Sequence, residues 1–480
     1  MSTKTPLQEK TPFAIDGKPM QGSHTAQAGL CAFSRAIRSL GIPKLCNDHV
    51  RIKERNSGYT VGQKVEALIL LHIAGGDCMQ DIERLRRDSG LSKILGYRVP
   101  GQRCVADFLE SFHDIELIEQ ARELAHRSNQ LSFIPEETPA LSGLGRVLSG
   151  LVHAYTSTLS SSVKRATIDQ DATTIESSKR QAQYTYEGTR GYQPMVASWV
   201  ETGLILADEF RDGNVPAVSA PLHCAQAAFG VLPDTVTEYY FRGDSACHES
   251  GLVNWLRNPT RKNGPRGEIE FVISARMSRE LKTMLEKVKE TLWKTFYKEK
   301  DGTLRQWVEV AFVPGEKGEK KDIIPLRYIG LRLLKPQGEL FADGSNCHHH
   351  AILTNRKETD GGFLINWHRE KAGTIEHVHD EVKNGLGGGH LPSAKFGANA
   401  AWFRIACIAY NILVVVRRAW SDISLHNAKA KRIRFMVVHV TGRVSHDARK
   451  VTLHLSASAE WIQRLIDLFS RFPLATIPTG

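Results

Sequence analysis

Asp169 and Asp171 stand two residues apart in the run Thr167-Ile168-Asp169-Gln170-Asp171-Ala172-Thr173, and strand periodicity puts both carboxylates on one face. Two carboxylates held that close repel unless a cation or a shared proton relieves them, and a divalent metal ion is the simplest relief. Asp244 directly follows the strand-like Tyr240-Phe241-Arg242-Gly243 and precedes a helical run, a position where Asp serves as an N-cap or as a ligand. A third stretch, Arg369 to Lys383, reads as a helix in which Glu376, His379 or Asp380, and Lys383 share a face, since positions three, four and seven apart stack. Hard oxygen donors of this kind suit Mg²⁺ or Mn²⁺. Two such ions activate the attacking oxygen and stabilise the leaving oxygen of a phosphoryl displacement. The chemistry implied is phosphodiester hydrolysis or transesterification.

The elements that must position these acids form a recognisable order. Three antiparallel-looking strands run through Ala166–Ile175, Tyr184–Val200 and Leu204–Arg211, followed by a helical run from Ala217 to Phe229. A strand at Val236–Arg242, a helix at Cys247–Leu256 and a strand at Ile269–Ser274 come next. This is the order of a ribonuclease H-like α/β fold, a mixed sheet covered by helices. The first strand and the strand before Asp244 lie side by side in such a sheet, so Asp171 and Asp244 are expected to meet, with Glu376 on a crossing helix as the third carboxylate. Residues 276–347 interrupt the order as a β-rich basic insertion with its own small sheet, and the core resumes at His350-Ala351-Ile352-Leu353-Thr354.

The domain division expected is a flexible lead at 1–34, an all-helical domain for DNA binding or dimerisation at 35–145, and a first catalytic part at 160–275. The insertion at 276–347, a second catalytic part at 348–425 and a basic hairpin and helix at 426–480 complete it. In the helical domain, Val65, Leu68, Ile69, Leu71 and Ile73 recur at helical spacing between Thr60 and Gly75-Gly76. Asn399–Trp420 is apolar almost all round and reads as a helix buried against the sheet.

Across its 480 residues the chain carries 63 Lys+Arg against 52 Asp+Glu, a net +11 that favours a polyanionic partner. The eight cysteines are spread singly with no C-x-x-C, which argues against a zinc knuckle or a disulfide framework and for reduced thiols in a cytosol. The first ten residues are polar, unlike a signal peptide. Ile405–Val416, the longest apolar run, is too short to cross a bilayer, so no membrane role is expected.

Taken together, Asp171-Ala172-Thr173, Gly191-Tyr192-Gln193-Pro194, Arg211-Asp212-Gly213-Asn214, Arg242-Gly243-Asp244-Ser245 and Gly373-Thr374-Ile375-Glu376 through Lys383 to Asn399-Ala400-Ala401-Trp402 resemble the DDE transposases of bacterial insertion sequences. Within these, the chain is most similar to the insertion-sequence thirteen-eighty family, related to the cut-and-paste group with a β insertion. The resemblance spans about residues 40–455. It implies that Asp171, Asp244 and Glu376 are catalytic metal ligands for Mg²⁺ or Mn²⁺, two ions being expected. Asp169 is the rival for the first position, and Asp171 is preferred because the family's acid precedes a small residue and Thr. Lys383, seven after Glu376, matches the lysine of the Tyr-Arg-Glu-Lys signature and is expected on DNA phosphate. The signature's arginine and tyrosine fall on Ala372 and Arg369, so Arg369 and Lys371 are the candidates to supply that charge.

The activity expected is binding of terminal inverted repeats in double-stranded DNA, metal-dependent cleavage and strand transfer, by a homodimer or larger assembly at the nucleoid. The alternatives are a DNA-binding relative without chemistry and a ribonuclease H-like nuclease without strand transfer. Trp293 and Trp307 in the basic insertion are candidates to stack on an exposed base, beside lysines such as Lys282, Lys287, Lys317, Lys320 and Lys321 that read phosphates. His348-His349-His350, His377 and His379 lack the further ligands that a zinc site needs.

Overall fold

Strand β1, Arg165–Ala172, combines β-branched Thr167 and Ile168 with a buried run from Ala166 to Gln170, so it is covered on both faces. It lies inside a sheet of nine strands. The structure, a computed structural model, describes residues 18, 20–52, 58–127, 134–159, 161–312, 326–357, 359–447 and 450–474. After β1 come β2 (Met195–Trp199), β3 (Leu204–Glu209), β4 (Glu238–Gly243) and β5 (Ile269–Ser274), then β6 (Lys294–Lys298), β7 (Leu304–Val310), β8 (Arg327–Leu334) and β9 (Cys347–Thr354).

The spatial order is β6-β7-β8-β9-β5-β4-β1-β2-β3. β1 pairs antiparallel with β2 and parallel with β4, and β4 pairs parallel with β5. Parallel pairing brings the C-terminal ends of β1 and β4 out together, with Gln170 opposite Gly243. The residues that follow, Asp171 and Asp244, therefore emerge side by side. At Gly243 a Cβ would come within 2.5 Å of the Cys247 side chain, so the tight descent into the turn that seats Asp244 requires glycine.

The insertion does not build a separate sheet. Ile352, Leu353 and Thr354 of β9 pair with β5 while the whole of β9 pairs with β8, so one strand serves both and the sheet grows outward through β8, β7 and β6.

Helix α1 (Val61–Ala74) starts at a capping box in which Thr60 and Gln63 exchange hydrogen bonds, and stops at Gly75 in the left-handed region. Helix α2 (Pro139–Thr156) buries its Leu141–Leu144–Leu148–Leu151 stripe. Helices α3 (Gly361–Arg369) and α4 (Lys371–Asp380) follow β9, and α5 (Phe396–Ala419) runs through the centre with nearly every residue buried. In length and composition α5 matches a membrane-crossing helix, yet its apolar window is wholly buried inside the protein. Its buried Asn399, Arg404 and Asn411 are all hydrogen-bonded within that core. Arg404 binds Asp208 of β3 and Glu137, and Asn411 exchanges two hydrogen bonds with Ile205.

The lead expected through residue 34 ends earlier. Ser23–Thr25 pairs with Gly442–Asp447, whose hairpin partner is Lys450–Leu455, and the helix Leu30–Ser39 is mostly buried. Chain start and chain end are thus joined in one small sheet. Residues 1–17 of the lead, and Lys317, Lys320 and Lys321, lie outside the described residues.

Candidate active site

Asp171 and Asp244 line one cleft of about 1320 Å³, together with Thr173, Glu176, Tyr184, Tyr186, Lys383 and His390. Asp244 caps the short turn Ser245–Cys247 by accepting from the Ala246 N–H at 3.1 Å. Burial, and then the negative charge of Asp171, push its carboxyl above the ordinary carboxylate range. The two acids thus repel one another in a confined space.

Relief comes from Lys371, at the start of α4. Its Nζ donates to Asp171 Oδ2 at 2.7 Å, and its side chain is 9% exposed. Burial alone would depress this ammonium, but Asp171 and Asp244 offset that and leave it raised. Lys371 is therefore an internal counter-ion to the acid pair, which departs from the expected free contact with DNA.

Asp169 shares the α4-facing side of β1 with Asp171, as strand alternation requires, but its duty is different. It is fully buried, with Oδ1 2.6 Å from Arg242 Nε and Oδ2 2.8 Å from Arg242 Nη2, and it accepts from the Thr374 hydroxyl. Arg242 also donates to the Trp367 carbonyl and lies over the Trp367 ring. Asp169 is thus engaged in a buried clamp and does not line the cleft, whereas its rival Asp171 does.

The three acids do not assemble. Helix α4 turns Lys371, Thr374, Ile375, Val378 and His379 toward the protein, and Glu376 falls outside this face, exposed. It does not line the cleft. Of the residues expected to share a face with Glu376, His379 is buried while Asp380 is only partly so. Among the described residues, the group of three potential ligands whose atoms lie within 4.8 Å of one another is Asp77, Cys78 and Asp81 instead. There Asp81 is occupied in capping the Asp77 and Cys78 N–H groups.

The other acids of this region are committed. Glu370 meets Arg242 at 3.2 Å, Asp380 binds Lys429 and Asn384, and Glu381 accepts from the Ala430 N–H. Glu376 has no hydrogen-bond or ion-pair partner among the described residues and so keeps a carboxylate to give. His379 was undervalued in the sequence. It is 8% exposed, its Nε2 finds no partner, and burial pushes it down to about 4 in the neighbourhood of Asp171, Lys371 and Lys383. Only its spacing from Lys371 along one helix face hints at this.

Lys383 does reach the cleft. Beyond Asp380 the helix widens into a π-turn over Glu381–Gly385, and Lys383 Nζ donates to Thr173 Oγ1 at 3.0 Å and the Thr174 carbonyl at 2.8 Å. Arg369 is exposed and lines a neighbouring hollow that also touches Asp244. Trp293 and Trp307 are 7% and 6% exposed, so neither offers a face to a base. Trp293 is covered by Arg332, and Trp307 packs on Gly361 and Gly362, where a Cβ would strike its ring. These tryptophans hold the extended sheet to its helices.

Two crowded carboxylates at the floor of a polar cleft suit a hard divalent ion, which takes one or two protein carboxylates and fills its shell with water and phosphate oxygens. Burial, and after it the charge of Asp171, raise Asp244, and Lys371 offsets part of that.

A family model described as transposase DDE domain group 1 matches residues 14–476. Seven solved chains are similar. One is a piggyBac transposase in a synaptic complex with hairpin DNA, 11% identical over 85% of this chain and 79% of that chain, with a TM-score of 0.44. No curated protein matches the chain.

Proposed function

The chain belongs to the transposase DDE domain group 1 family, and on that premise we propose that Asp171, Asp244 and Glu376 are its catalytic acids, acting on DNA in the cleft that Asp171 and Asp244 line. The observation that carries this reading is the geometry of Asp171 and Asp244, two acids brought into one cleft by the parallel pairing of β1 and β4 and balanced by one lysine, Lys371. Glu376 is the third because it alone among the acids at 370–381 is unpaired among the described residues, on the helix that already supplies Lys371.

A divalent ion of the Mg²⁺ or Mn²⁺ type, which these hard oxygen donors favour over a softer metal, would supply charge stabilisation and an activated oxygen when bound. The chain's residues do the rest. Asp171 and Asp244 would hold the ion, and Lys371, now paired with Asp171, balances their charge. Lys383, fixed by Thr173 and Thr174, presents positive charge to a phosphate lying along the cleft. Arg369, exposed beside Asp244, meets the flanking backbone.

The finer reading follows the order β3-β2-β1-β4-β5, which supports a ribonuclease H-like core, and the Gly373-Thr374-Ile375-Glu376 motif, which supports the insertion-sequence thirteen-eighty group. On this reading the substrate is the terminal inverted repeats of a mobile element, cut and joined to a target by two or more copies of the chain. The test is strand-specific cleavage of the DNA flanking the gene in Mg²⁺. Wild type cuts at the repeat end and Asp244→Ala does not; equal cutting by both removes the acid-pair site.

A further inference from the structure

A small three-stranded sheet, Ile175–Glu176, Arg190–Tyr192 and Gln183–Tyr184, stands at the edge of the cleft. Its base is anchored. Tyr192 is buried 5.0 Å from Phe210, and a Cβ at Gly191 or Gly213 would come within 2.5 Å of a backbone oxygen across the sheet. Its tip, turning at Gly188 with a positive φ, is open. There Tyr184 and Tyr186 are 59% and 78% exposed, and both line the cleft that holds Asp171 and Asp244.

Exposing two aromatic rings on a rigid stalk beside an acid pair costs solvation and gives nothing to the core. Arg190 covers one face of Tyr184 at 4.8 Å, while Tyr186 is tied only through its hydroxyl, to Glu187 at 2.9 Å. The Tyr186 ring is therefore available. A base inside a duplex has no free face to offer it, whereas an unpaired base does.

Resting on the DNA reading above, we propose that Tyr186 is a stacking platform for an unpaired nucleobase next to the bond being cut. The role expected of Trp293 and Trp307 belongs on this evidence to the hairpin tip. The ring does the work and the hydroxyl does not, because the hydroxyl already has Glu187.

The experiment uses a duplex with a short single-stranded 3′ overhang bearing 2-aminopurine at its first unpaired position, and the blunt duplex, both with full-length protein in EDTA. Wild type quenches the fluorophore and binds the overhang DNA more tightly than the blunt one. Tyr186→Ala abolishes the quench and weakens overhang binding about 5- to 150-fold, the equivalent of one stacked base, while blunt-duplex binding is unchanged. Tyr186→Phe behaves as wild type. Equal quenching by wild type and Tyr186→Ala, or equal losses on both DNAs, overturns the platform and leaves the DNA reading standing. Failure of wild type to bind even the blunt duplex at low salt overturns both.

Discussion

Arg242 grips both oxygens of Asp169, at 2.6 and 2.8 Å, with both side chains almost completely buried, while Asp171, two residues along the same strand, faces the cleft. Neighbouring acids on one strand face are thus held differently, one clamped in a buried ion pair and the other opening on the cleft. Asp169→Asn leaves the Arg242 charge without its buried partner and costs about 3–5 kcal/mol of stability. Asp171→Asn leaves the fold intact and lowers cleavage more than about 100-fold. Denaturant midpoints and cleavage rates of the two variants, compared side by side, check the division.

Lys371 occupies the charge balance that a divalent ion would otherwise supply. Lys371→Met is expected to unfold at lower temperature than wild type in EDTA, because Asp171 and Asp244 then repel without relief. Mg²⁺ restores most of that loss and gives the variant a larger stabilisation than it gives wild type. Thermal melts with and without Mg²⁺ show the difference, and a variant whose midpoint ignores Mg²⁺ contradicts the counter-ion role.

Trp307 belongs to the packing of the extended sheet. Trp307→Ala is expected to cost about 3–5 kcal/mol, with DNA affinity of the folded protein unchanged. Equilibrium unfolding and DNA binding by anisotropy separate the two effects.

His72, which does not line the cleft, carries an acid-sensitive load. Its Nδ1 lies 2.7 Å from the Leu386 carbonyl, its ring meets Trp402 edge-on at 4.4 Å, and burial pushes it down to about 4. An unfolded chain binds that proton near pH 6.5, so the unfolded state takes up a proton that the folded state refuses. The stability is complete above about pH 6.5, falls as pH drops toward 4, and totals on the order of 2–4 kcal/mol. His72→Asn should flatten the slope of unfolding free energy between pH 7 and pH 5.

The strand order around the acids was legible because the sequence alternates and breaks where the sheet does. Thr167 and Ile168 mark β1, Gly243 marks the end of β4, and the Thr60 and Gly75 signals bound α1 as expected. The insertion was misjudged because strand propensity reveals that Leu304–Val310 is extended, not that β9 offers it an edge of the main sheet. The aromatic assignment failed for a related reason. Trp293 and Trp307 sit among lysines in the sequence, and burial by Arg332, Gly361 and Gly362 comes from residues remote along the chain. At Glu376, helix spacing fixes which residues share a face but not which face meets the sheet. Lys371 and Thr374, bound to Asp171 and Asp169, decide that.

The central claim is that Asp171 and Asp244 hold a common divalent ion. Titration of Mn²⁺ into the metal-free protein, with free Mn²⁺ read by electron paramagnetic resonance, tests it without any DNA. Wild type should take up Mn²⁺, with Asp171→Asn and Asp244→Asn each weakening uptake more than about tenfold. Wild-type affinity in the folded Asp244→Asn protein would contradict the account.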